Sequence, residues 1–70
     1  MENDWVIIFS TGNYYRAQLA KEILSDEGID SVIIDKTDSV YLHPSGYVEV
    51  NVRREDVIKA MHLLKSAQFE

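Results

Sequence analysis

The chain predicts one α+β domain over residues 1–70, a ferredoxin-like β-α-β-β-α sandwich. Three observations predict it. Two apolar runs rich in β-formers, Trp5-Val6-Ile7-Ile8-Phe9 and Ser31-Val32-Ile33-Ile34-Asp35, bracket a stretch with helical periodicity. Tyr47-Val48-Glu49-Val50-Asn51-Val52 alternates valine with other residue types, the period of a half-buried strand. A second helical stripe, Val57, Ala60, Met61 and Leu64, follows it.

In the first strand, expected over 5–9, strict alternation places Trp5, Ile7 and Phe9 on one face and Val6 and Ile8 on the other. Both faces are apolar, so both need cover. Ser10-Thr11-Gly12-Asn13 reads as a turn, with Thr11 or Asn13 as the cap of the next helix. That helix is expected over 14–27. Ala17, Leu19, Ala20, Ile23 and Leu24 share a stripe, and Gln18, Lys21 and Glu22 lie opposite. Gly28 ends it where φ turns positive, and Ile29 is placed to touch Leu24.

The second strand, 31–35, is again apolar on both faces. A long connection, 36–46, turns at Pro44-Ser45-Gly46 and leads to the third strand, 47–52. The last helix is expected over 54–67. Glu55 and Asp56 suit its positive end, Lys59 and Lys65 its later turns, and Glu55 and Lys59 have i,i+4 spacing. Gln68-Phe69-Glu70 either adds a short fourth strand or frays. The compact arrangement puts both helices on one side of the sheet and the third strand between the first two.

A chain of 70 residues buries only about 60% of its unfolded surface, so its core is marginal. It has no cysteine to reinforce that core. The net charge of −5 argues against a nucleic-acid or anionic-membrane partner, both of which are held by clustered cations. Met1-Glu2-Asn3-Asp4 carries acid where a signal peptide carries base, and no apolar run reaches the roughly 18–20 residues of a membrane span. A cytoplasmic, soluble protein is the expectation.

Several short segments carry a family resemblance: Phe9-Ser10-Thr11-Gly12, the helix with Ala17, Leu19-Ala20-Lys21 and Leu24, Glu27-Gly28-Ile29, Lys36-Thr37-Asp38-Ser39 with Tyr41-Leu42, and Glu49-Val50-Asn51-Val52 before Glu55-Asp56. The chain resembles the DUF2007 family of small bacterial signal-transducing proteins over nearly its whole length. The resemblance implies a ferredoxin-like fold similar to the PII nitrogen regulators and a regulatory or interaction role. It implies no ligand, no reaction and no catalytic residue. Arg53 stands where family members often have proline.

Among candidate sites, the eleven-residue 36–46 connection is longer than a hairpin usually needs. It carries Lys36, Asp38, Ser39, Tyr41 and His43, a set able to hydrogen-bond a ligand or partner. Asp38 and Ser39 are also ordinary turn formers, and Tyr41 is the stronger contact residue. The 10–13 turn before a helix could hold an anion on free N–H groups, but lacks the glycine-rich phosphate-binding patterns. Tyr14-Tyr15-Arg16 offers aromatic and cationic contact area, or else closes one end of the core. Arg53-Arg54 either snorkels into water and pairs with neighbouring acids or docks an acidic partner.

His43 and His62 lie on different elements without acids at ligand spacing, so no metal site is expected. The carboxylates form no acid-base pair, and Ser39 with His43 makes no triad. The expectation is a non-enzymatic regulatory or protein-interaction module without a cofactor. Strands apolar on both faces but covered on one, and an unpaired edge on the first strand, predict a homodimer through the open sheet face or that edge, with Val6, Ile8 and Ile33 as the self-association residues. The alternative is a PII-like or ACT-like sensor of nucleotides or amino acids, binding near 36–46.

Overall fold

The computed structural model describes residues 4–36 and 47–69. Its elements are β1 (Trp5–Thr11), α1 (Tyr14–Asp26), β2 (Ser31–Asp35), β3 (Val48–Arg53) and α2 (Val57–Ser66), with a 3-10 turn at Arg54–Asp56 before α2. They form an α+β domain: one three-stranded antiparallel sheet in the order β1-β3-β2, and two helices. No helix among the described residues is long and apolar enough to cross a membrane.

β3 is the centre of the molecule. Val48, Val50 and Val52 are fully buried and share a core with Ala17, Ala20 and Leu24 of α1 and Ala60 and Leu64 of α2. Small alanines at the helix contact points let the helices approach the sheet closely, so the three valines pack directly against Leu24 and Leu64.

β1 departs from strict alternation. Its register runs Val6 to Val52, Ile7 to Asn51, then Phe9 to Val50, so Ile8 is an inserted bulge residue. A bulge turns the following side chains to the opposite face. Phe9 therefore joins the core instead of sharing a face with Ile7, which is 49% exposed. The same insertion carries pairing on to Thr11, opposite Val48, so the expected turn at 10–13 starts only after Thr11.

Both helices end by one device. At the end of α1, Ile29 N–H bonds the Leu24 carbonyl at 3.0 Å, Gly28 N–H bonds Ser25, and Gly28 has φ 77°. At the end of α2, Phe69 N–H bonds Leu64 at 2.8 Å, Gln68 N–H bonds Lys65, and Gln68 has φ 65°. This is the Schellman arrangement, in which an apolar residue beyond the left-handed position folds back on the helix. The tail is thus a cap rather than a fourth strand among the described residues. At the other end of α1, Asn13 Oδ1 accepts the Tyr15 N–H at 2.9 Å, while Thr11 Oγ1 accepts the Asn13 N–H. Asn13, not Thr11, is the helix cap.

Two assigned core residues lie outside the core. Leu19 is 45% exposed and Met61 is 54% exposed. The sheet is narrow, so each helix buries a stripe only two residues wide per pair of turns, and neighbours of that stripe stay wet.

Candidate functional site

The sheet has two unlike sides. Cross-strand partners point the same way, so Val6, Phe9, Thr11 and Ile33 share the helix side with the three valines. The opposite side carries Trp5, Ile7 and Ser10 from β1, Glu49, Asn51 and Arg53 from β3, and Val32 and Ile34 from β2.

This placement corrects the expected self-association residues. Val6 pairs with Val52 and Ile33 with Val50, so both face the helices. Ile8, the bulge residue, packs against the core cluster beside Met61 and Leu64. None of the three lies on the open side. Strict alternation ties Val6 to the face opposite Phe9; the bulge at Ile8 breaks that tie and leaves both on the helix side, while Ile33 lies there opposite Val50 in a regular register. The open-side apolar residues are Trp5, Ile7, Val32 and Ile34.

The open side has a polar spine between apolar flanks. Glu49 is 6% and Asn51 2% exposed, although both project from the side away from the helices. Lys36 Nζ lies 3.4 Å from the Glu49 carboxylate. Asn51 Nδ2 is buried with no hydrogen-bond partner among the described residues. An unpaired buried amide costs on the order of 1–3 kcal/mol, so it marks a place where stability has been given up. At the far end, Arg53 lies over the Trp5 ring at 5.2 Å and 3.8 Å from Asp30.

Lys36 is the one member of the expected loop site within the described residues, and it is engaged by Glu49. Asp38, Ser39, Tyr41 and His43 lie outside the described residues. Tyr15 is 74% exposed and does not close the core. Arg16 does reach its end, with its guanidinium over Phe69 at 4.9 Å and over Phe9 at 5.9 Å. Among the described residues no three His, Asp or Glu side chains converge as a metal site.

A concave feature lies on the helix side. A cavity of about 530 Å3 opens between β1 and α2, walled by Ile8, Phe9, Met61, Leu64 and Phe69. Ile58, 86% exposed and one turn before Met61, extends that apolar wall along α2. Sequence periodicity missed this because the second helical stripe reads as core at either margin.

The family described as "Putative prokaryotic signal transducing protein", DUF2007, matches residues 5–68 of the chain. The chain belongs to the DUF2007 family. Neither a curated protein nor a solved structure matches it. The DUF2007 match spans β1 through the α2 cap, so both faces described above belong to the family's domain. It assigns no residue a role.

Proposed function

We propose that this DUF2007 protein is a non-enzymatic regulatory module of ferredoxin-like type that works through protein contacts and pairs with a second copy through the open side of its sheet. The β1-β3-β2 order with a helix after β1 and another after β3 supports the fold reading. The observation that carries the functional reading is Asn51: a buried amide without a partner among the described residues, set between Ile7 and Val32, which are 49% and 37% exposed.

A two-fold axis through this face would lay the exposed Ile7 and Val32 of one copy against those of the other, over the buried Asn51. Isologous contacts of this kind require one patch that matches itself, and two apolar residues flanking a central polar one do. A polar residue at the centre of an apolar interface sets register more than strength.

Sedimentation equilibrium across micromolar concentrations tests the reading. The expected result is a dimer for the native chain and monomers for Ile7→Lys and Val32→Lys with unchanged circular dichroism. A native chain that sediments as a monomer throughout that range overturns it.

A further inference from the structure

β1 is the last strand of the sheet. It pairs with β3 on one side and with no strand on the other among the described residues. A strand edge with free N–H and C=O groups accepts another strand unless something blocks it. Here the edge runs beside the 530 Å3 cavity that separates β1 from α2. Edge strand, apolar trench and flanking helix are the parts from which β-augmentation sites are built: main-chain bonds hold the incoming segment and the trench takes alternate side chains.

The charge around the trench selects the partner. The chain carries twelve acids against seven Lys and Arg, a net −5. The ionisable side chains lining the trench among the described residues are nonetheless His62 and Lys65, and no acid is part of that lining. A lysine on the rim, with no acid in the lining, pairs with an anionic group on the occupant better than with a cationic one. Apolar walls with Lys65 and the imidazole of His62 along one rim match an extended peptide that alternates apolar and acidic residues.

We infer that the β1–α2 trench binds a short, extended, acidic segment of another protein by strand addition to β1. Its apolar side chains enter between Ile8, Phe9, Met61 and Leu64, and its carboxylates meet Lys65 and His62. The bulge at Ile8 interrupts regular pairing, so the added strand runs along Phe9, Ser10 and Thr11 and is only a few residues long. Ile58 and Met61 would be covered by the rest of the segment. This surface lies on the helix side and is distinct from the open side invoked for self-pairing.

The test is an amide chemical-shift titration of the full 15N-labelled chain with the synthetic peptide acetyl-Glu-Val-Glu-Val-Thr-Val-Glu-amide. Its counterpart with lysine for every glutamate serves as the control. Saturable shifts confined to Phe9, Ser10, Thr11 and the α2 residues from Met61 to Lys65 are expected. Lys65→Glu should weaken binding about tenfold, as should the lysine peptide, and added salt should weaken it further. Met61→Ser, at an exposed position, should weaken it without unfolding the chain. No shifts, shifts at Ile7, Val32 and Asn51 instead, or equal binding of both peptides would each overturn the inference. Ile7→Lys and Val32→Lys should retain peptide binding, so the failure of this inference and the failure of self-pairing are told apart.

Discussion

The guanidinium of Arg16 sits 4.9 Å from the centre of the Phe69 ring. Arg16 belongs to the first turn of α1 and Phe69 follows the end of α2, so the contact ties the beginning of the first helix to the end of the last. Phe69 also meets Phe9 edge-on at 5.5 Å, which anchors the tail to the central layer.

Phe69→Ala should lower stability by about 2 kcal/mol, near the lower end of large-to-small core changes because the ring is only partly buried. Arg16→Ala should cost roughly 0.5–1 kcal/mol, the range for an exposed cation on an aromatic ring. Urea denaturation of both single variants and the double variant should give a total smaller than the sum, since both changes remove one shared contact.

The two left-handed caps make opposite predictions. Gly28→Ala should destabilise by about 1 kcal/mol through backbone strain alone, because a Cβ there meets no atom within 4 Å. Gln68→Gly should stabilise by roughly 0.5 kcal/mol, the relief at φ 65° being partly offset by the freer unfolded chain. Thermal melts of both variants check the signs; equal and same-signed shifts would contradict the cap assignment.

Lys36→Met leaves the Glu49 carboxylate buried without its cation. A loss of about 1–2 kcal/mol is expected, less than for a fully buried pair because the Lys36 side chain is 39% exposed. Adding Glu49→Gln should recover part of it. Chemical denaturation of the two variants measures that recovery, and its absence would mean the pair is not coupled.

Asn51→Val replaces an unsatisfied buried amide by an apolar group of similar size. Stability of the isolated domain should rise by about 1 kcal/mol, measured at concentrations too low for association.

Val6→Lys and Ile33→Lys point into the layer between sheet and helices, opposite Val52 and Val50. Each should destabilise the domain, by roughly 3 kcal/mol at Ile33, which packs against the core, and by less at the half-buried Val6, because a charge replaces apolar contact there. Ile7→Lys should leave the fold intact. Urea denaturation separates the two outcomes, and an Ile33→Lys variant as stable as Ile7→Lys would contradict the register.

The identities of the strands and helices were legible from alternation and helical spacing, because each depends on residues a few positions apart. Gly28 declared the end of α1, since glycine alone enters the left-handed region without strain. Gln68 does the same work at the end of α2 and was not legible, because glutamine carries no such preference. The family was legible too, from the order of short structural segments. The candidate site was read less well. Strict alternation put Val6 and Ile8 on the open side, and one inserted residue reversed the strand beyond it. Alternation is a local property, whereas a bulge is set by how one strand registers on another.

The sequence by itself determined the order of elements, the valine core of β3 and the acidic surface, all consequences of side-chain chemistry and period. Only the tertiary structure decided which apolar residues of the outer strands remain on the surface, which amide is left unpaired and where a trench opens. Those depend on a register between strands more than 35 residues apart in the chain, and on a sheet too narrow for two helices to cover all that its strands present.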